Sequence, residues 1–585
     1  MHSLRLHQPF RIHQLRAIAA ATLALLISAC ASQSTSTTAT NNTHNQPAGQ
    51  QAEAKGSFEA ATLYALLVAE LAGQRGMNQV SIHNYVQEAE RTRDINITRH
   101  ATLLANRYND ANNSLKAALL WTELEPNNPE PSGIAAAGLI RRGDIEQARP
   151  LLQSALTHNP SSTVDALAER AQKMSPQERK NYLTLLDQLL LDNPEQPHLL
   201  YAKASLLRFS DDLSQPLLFA QQALDLAPQY DRAILLEADL QARSGHLDTA
   251  LGHLREELNR RDHQQIRTLY TRLLLQKGQF DSAHQQAQLL TKNAPNDHNL
   301  QFYLGALMLE YNQIEQSEQY FLELVQRFGV NSTLHYYLGR IAQLKELPDQ
   351  ALEHYQQIGD SAYLTAGMSE VAKLLNKPKD EQQLRDIYRQ SRERNPAQSA
   401  TLFIMEASWL QQHQRQQQAL QVYNQALAME PHATNPQLLY NRSMLHEQLD
   451  QLDEMEQDLR QLLALEPNNA TALNALGYSL TDRTDRHEEA LILIRQALKL
   501  KPDDPAILDS MGWVQHNLGN YKLALEYLLR ALEMFPDPEI AGHLGQVYWK
   551  LGQQDNAREV WDNALQSHPD SPLILEAMRQ VGLTQ

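Results

Sequence analysis

A proline that returns about every thirty-four residues limits what this chain can fold into more than any other feature. Pro126, Pro160, Pro194 and Pro228 keep that interval, and Pro295, Pro396, Pro431, Pro467, Pro502, Pro536 and Pro569 continue it with small slips. The stretches between carry helix formers, with apolar residues at helical spacing. A period of this length is one pair of antiparallel helices, the proline ending the second before the next pair begins. No pair can bury its apolar face alone, so the pairs must stack into one continuous core with a long groove. Such an architecture suits binding better than catalysis.

The last complete period shows how each pair closes. Leu544, Gly545 and Tyr548 follow Pro538 on the first helix, and Ala557, Trp561 and Ala564 mark the second. Gly545 and Ala557 are small because the helices cross closely there. Leu544, Tyr548 and Trp561 fill the seam, and Gly552 suits the turn. The same template recurs at Leu476, Gly477, Leu480 and Ala497, and at Leu508, Met511, Gly512, Ala524, Leu528 and Ala531. Upstream it is met at Leu304, Gly305 and Phe321, at Leu338, Gly339, Ala351 and Tyr355, and at Ala407, Ala419, Tyr423 and Ala426. This pattern resembles the tetratricopeptide repeat. The expected fold is an all-α superhelical solenoid of about fifteen helix pairs plus a C-terminal capping helix.

The expected organisation is a leader over 1–29, a modified cysteine and tether over 30–57, degenerate repeats over 58–228, regular repeats over 229–569 and the cap over 570–585. In the degenerate part the unit between Thr163 and Gln196 lacks most small residues, and Pro216 stands where alanine is expected. The sequence leaves open whether the array is continuous or made of two arms meeting near Pro194 to Pro216.

The leader says where the protein works. Arg5, Arg11 and Arg16 form a positive segment without acidic residues. The mostly apolar stretch 17–29 that follows is too short to span a bilayer. It closes on Ile27, Ser28 and Ala29 before Cys30, the only cysteine in the chain. This resembles a bacterial lipoprotein signal, in which the cysteine becomes the N-terminus and carries acyl chains through a thioether. Each buried methylene contributes about 0.8 kcal/mol, so several chains hold a protein on a membrane without a spanning helix. By the same resemblance, Ala31 and Ser32, with no aspartate after the cysteine, imply the periplasmic face of the outer membrane. Covalent lipid on Cys30 is the one non-protein group expected; no other cofactor is. Residues 32–56 are small, polar and nearly uncharged, and read as a flexible tether with a reach of about 28 Å.

Charge and motif searches narrow the function further. Lys and Arg total 51 against 68 acidic residues, a net charge of −17, which argues against a nucleic-acid surface. The 22 histidines are scattered, and His487 with Glu488 and Glu489 lacks the second histidine of a zinc-binding helix, so no metal is expected. No phosphate-binding glycine loop and no nucleophile elbow is found, and the expectation is a protein without catalytic activity.

Within tetratricopeptide arrays the first helix of each pair lines the concave face. Carried onto this chain, the resemblance makes Phe302, Tyr336, Arg340, Tyr440, Asn474, Tyr478, Asp509, Trp513, His516, Trp549 and Lys550 candidates for a peptide-binding groove. Rings beside amide and charged groups suit an extended peptide. For Tyr478, Trp513 and Trp549, packing between adjacent helices is the equal alternative. The lysine–asparagine clamp that some such domains use for a terminal carboxylate is missing, because Tyr336, Asn474 and Asp509 occupy its lysine position.

The stretches TLYALLVAELAGQRG (62–76), WTELEP (121–126), ALNALGYSLTDRT (472–484) and PDDPAILDSMGWV (502–514) resemble the long tetratricopeptide outer-membrane lipoproteins of Gram-negative bacteria. The best understood type is the lipoprotein partner of a periplasmic carboxyl-terminal processing protease. That resemblance implies an adaptor holding the protease and presenting peptidoglycan hydrolases to it, with the early repeats 58–126 facing the protease. The alternative is an assembly scaffold for a secretion, pilus or polysaccharide export complex.

Overall fold

The computed structural model describes residues 59–583 apart from 159, 360 and 361. The leader, Cys30 and the tether lie outside the described residues. Among the described residues there are 31 α-helices and no strand. They form fifteen successive pairs, from Ala60–Gln74 with Asn78–Thr92 to Pro538–Lys550 with Gln554–Ser567, and a last single helix, Pro572–Gln580. None of these helices is long and apolar enough to cross a membrane.

Local chemistry sets the boundaries. The recurring prolines fall just past the second helix of a pair: Pro467 after Leu452–Leu465, Pro502 after His487–Leu500, Pro536 after Tyr521–Met534 and Pro569 after Gln554–Ser567. Each lacks the N–H that another helical turn would need. A short polar side chain then starts the next first helix. Asn469 accepts from the Ala472 N–H, Asp504 from Ala506 and Asp537 from Glu539, satisfying donors the helix itself leaves free. Between the two helices of most pairs, one residue takes the left-handed conformation. Glycine supplies it at Gly552 (φ +77°) and Gly519 (φ +81°), whereas Glu346 and Gln414 adopt it with side chains that do not favour it.

Packing explains the small residues of the first helices. A Cβ added to Gly512 would lie 2.5 Å from Leu528 Cγ, and one added to Gly339 would lie 2.6 Å from Tyr355 Cε1. A Cβ on Gly545 would overlap the indole of Trp561, which is fully buried. The glycine of the first helix is thus the socket for the large side chain of the second.

The chain divides into two compact units between Leu324 and Val325, well beyond Pro216. In the first unit, overlapping cores run from Ala69 to Leu120, from Leu115 to Leu240 and from Ile234 to Tyr320. The second has cores from Ala342 to Val514, from Leu508 to Val547 and from Ala557 to Ala577. In that last core Ile574 and Ala577 of the terminal helix join Trp561.

The irregular unit near Thr163 differs from its neighbours for a visible reason. Its first element is a wide turn at Ser161–Asp165, a single helical turn at Ala166–Glu169 and a tighter one at Arg170–Lys173. This brings Asp165, which is fully buried, against His198 Nδ1 and Arg232 Nη1, both at 2.8 Å, while Arg232 Nε donates to Glu169 at 2.6 Å. An ionic network to the next two pairs is added to an apolar seam that Leu167, Ala168, Tyr182 and Leu185 still fill, and it is strong only while every member is present.

Candidate functional site

Of the eleven groove candidates, Phe302 belongs to the first unit and the other ten to the second. Phe302, on His298–Glu310, meets Phe321 edge to face at 5.6 Å. In the second unit Tyr336 and Arg340 share the helix Ser332–Leu344. Tyr336 is half-buried and packs on Tyr363 at 4.9 Å; burial pushes its phenol up. Arg340 approaches Glu370 at 3.6 Å. Burial opposes ionisation of Glu370, but Lys373, Gln343 and Arg340 outweigh it and hold its carboxyl below the usual range. Tyr440 is half-buried on Pro436–Gln448.

The remaining candidates converge near the C-terminus. Asn474 and Tyr478 lie on Ala470–Arg483, Asp509, Trp513 and His516 on Pro505–Asn517, and Trp549 and Lys550 on Pro538–Lys550. Tyr478 donates to Glu539, crossing from one first helix to another two pairs along. Trp513 packs between helices in the structure. His516 covers one neighbour position at 4.7 Å and His543 another at 4.1 Å, both nearly parallel to the indole, whose Nε1 donates to Asp482 at 3.2 Å. Trp513 is only 9% exposed. Trp549 is half-buried with its ring centroid 6.3 Å from that of Trp561. Lys550 is exposed.

Two imidazoles of this cluster are perturbed in opposite directions. Burial, with help from Lys550 and His543, depresses His516 to about 4, so it is neutral at pH 7. Burial works against the charged form of His543 too, but the Asp509 carboxylate, 2.9 Å from Nδ1, overrides it and raises that histidine. The oxygen of Asn474 and both ring nitrogens of His516 have no hydrogen-bond partner among the described residues. His543, Glu539 and Asp482 escaped the sequence reading. The signal that finds His543 is its place one period after Asp509.

A second surface lies on Ala60–Gln74, the first helix among the described residues. Leu63, Tyr64, Leu67 and Leu71 are 53%, 72%, 53% and 51% exposed. Their three- and four-residue spacing places them on one face. The only acidic residue of that helix, Glu70, accepts from Tyr85 and leaves the stripe uncharged. An exposed apolar stripe of this kind marks a contact surface more often than a solvated one. Among the described residues no group of three or more His, Cys, Asp or Glu side chains is arranged to hold a metal ion.

Stacked helix pairs with glycine sockets, and apolar and aromatic surfaces rather than a convergent set of reactive groups, define a helical-repeat interaction scaffold. Comparison with known proteins carries this one step further. A tetratricopeptide-repeat family model matches residues 432–578. The TPR repeat-containing protein PA4667 of Pseudomonas aeruginosa is 34% identical over 497 residues, covering 84% of this chain and 83% of that protein. The chain belongs to the tetratricopeptide-repeat protein family. It is also 27% identical over 172 residues to the human protein O-mannosyl-transferase TMTC1, covering 28% of this chain and 19% of that protein. Among solved structures it is similar to the APC/C hetero-tetramer Cut9–Hcn1, with a TM-score of 0.31 and 13% identity over 90% of this chain and 97% of that one. It is likewise similar to the Thermus thermophilus protein TTC0263, with a TM-score of 0.26 and 24% identity over 30% of this chain and 93% of that one.

Proposed function

We propose that this protein is a lipid-anchored adaptor on the periplasmic face of the outer membrane, tethered through Cys30 and without catalytic activity of its own. The repeats hold a periplasmic carboxyl-terminal processing protease and present cell-wall hydrolases to it. The observation that carries this reading is the uncharged stripe of Leu63, Tyr64, Leu67 and Leu71, which lies within the segment 58–126 assigned to the protease. The lipoprotein-like leader and the half-buried aromatic groups of the second unit support it from two other directions. Binding enzyme and substrate to one scaffold raises their effective concentration toward one another, so no catalytic group of the adaptor is needed. The test is capture from periplasmic extract by the tagged body, residues 57–585, followed by mass spectrometry. A carboxyl-terminal processing protease recovered with wall hydrolases, and lost on deletion of 58–126, is the expected result. Recovery of secretion or export subunits without a protease discards the adaptor and favours an assembly scaffold.

A further inference from the structure

The second unit carries an apolar depression that the adaptor reading does not use. It lies on His487–Leu500, the second helix of its pair, whereas the groove candidates lie on first helices. Ile492, Leu498 and Pro502 form the floor and Arg495, Gln496 and Lys499 the rim of a space of about 620 Å³, which is within the range of natural ligand sites. Ile492 is 56% exposed. A β-branched side chain left in water on a helix surface gains neither burial nor helix propensity.

The cations of the rim are as informative as the floor. Nearby arginines are committed to carboxylates: Arg486 to Glu456 and Glu489, Arg460 to the same two, and Arg530 to Asp503. Arg495 and Lys499 make no ion pair or side-chain hydrogen bond among the described residues, although the chain as a whole carries a net charge of −17. One helical turn apart, they repel each other. Lys499, in the last turn, gains from the helix dipole; neither Arg495 nor the exposure of Ile492 is explained that way.

We propose that this depression docks an acidic, apolar-anchored segment of a partner polypeptide. A leucine-sized side chain covers Ile492, Leu498 and Pro502, and carboxylates on either side of it meet Arg495 and Lys499. The guanidinium takes its carboxylate in a forked pair, and the ammonium acts as a point charge. The site belongs to the second unit, whereas the stripe at Leu63 to Leu71 belongs to the first.

The test is fluorescence anisotropy of the full chain with a short labelled peptide carrying Asp-Leu-Leu-Asp between Gly-Ser flanks, and with its Asn-Leu-Leu-Asn counterpart. The acidic peptide binds more tightly, and Arg495→Gln with Lys499→Gln weakens it about five- to tenfold. Ile492→Ser weakens both peptides. Charge reversal, Arg495→Glu with Lys499→Glu, shifts preference to a Lys-Leu-Leu-Lys peptide. All three side chains are exposed, so the variants retain the fold. Equal affinity for the acidic and amide peptides, binding unchanged in the double variant, or no binding of any peptide overturns the proposal. So does capture by phosphatidylglycerol vesicles that depends on the two cations while the acidic peptide is ignored.

Discussion

Gly512→Ala and Gly252→Ala make the same chemical change on two helices and should move stability in opposite directions. Each replacement gains about 0.5–1 kcal/mol of helix propensity. At Gly252, on Leu247–Arg260, the new Cβ meets nothing within 4 Å, so the gain stands alone. At Gly512 the new methyl would lie 2.5 Å from Leu528 Cγ and 2.9 Å from Cδ2, with the Ala524 carbonyl oxygen at 3.2 Å. Leu528 is fully buried and cannot swing clear. Overpacking of this kind costs about 1–3 kcal/mol, which outweighs the propensity term and leaves a net loss of about 0.5–2 kcal/mol. Repeat arrays do not unfold as one unit, so the readout is local: amide hydrogen exchange of peptides spanning 505–534 and 247–260. Exchange should quicken about two- to thirtyfold at the first and slow several-fold at the second. The decisive control is the Leu528→Ala background, itself destabilised by about 2–5 kcal/mol. There the methyl of Gly512→Ala has room, and the substitution should become stabilising. If Gly512→Ala slows exchange in the parent chain as Gly252→Ala does, the socket argument is wrong.

Two further predictions come from buried charge. Glu406 is almost fully buried and takes Arg385 Nε at 3.0 Å and Arg392 Nη1 at 2.5 Å, with Arg392 also lying over the Phe403 ring at 4.0 Å. Glu406→Ala leaves a buried guanidinium without its counter-ion and should cost about 3–5 kcal/mol, read as faster exchange across 399–412; an effect below about 1 kcal/mol would contradict the packing described. The second concerns pH. His516 is depressed in the fold, so the unfolded chain binds the extra proton, and protection of residues 505–550 should fall as pH drops from about 6.5 toward about 4. His543 is raised, so its contribution is present below about 6.5 and is lost as pH climbs through its higher folded value. Protection should therefore peak near pH 6.5, with His516→Gln flattening the acid limb and His543→Gln the alkaline one. An acid limb untouched by His516→Gln would exclude the assignment.

What could be read from the sequence is what the period itself carries. Gly545 with Trp561, Gly512 with Leu528, Gly339 with Tyr355 and Gly305 with Phe321 share one spacing, and each is a socket and its occupant. Gly477 meets Ile494 one residue later because its first helix runs one residue longer. The unit near Thr163 was legible only as an absence of small residues. Its ionic network starts from a backbone that leaves the regular helix and reaches Arg232 two pairs along. The exposed stripe on the first helix was hidden for a different reason. Leu63, Leu67 and Leu71 have the pattern of a buried face, yet all three are exposed in the structure.

The groove was the least legible part, and the reason is lateral pairing between repeats. First helices of successive pairs lie side by side, so residues one period apart become neighbours. Asp509 meets His543, Ser399 meets His432, and Asp165 meets His198. Of these, Asp509 reads from the sequence as a groove candidate, yet it hydrogen-bonds to the next repeat. A scaffold of this kind must satisfy its buried polar atoms between repeats before it can offer any to a partner. Recognition then falls to groups the lateral pairs leave over. Among the described residues, the groups left over include the Asn474 oxygen and the His516 ring nitrogens, together with the surfaces on which the proposals above rest, the uncharged stripe at Leu63 to Leu71 and Arg495 and Lys499 beside Ile492. Pairing at the repeat interval, as at Asp509 with His543 and Ser399 with His432, therefore marks a side chain of this protein as structural whatever the composition of the face it sits on.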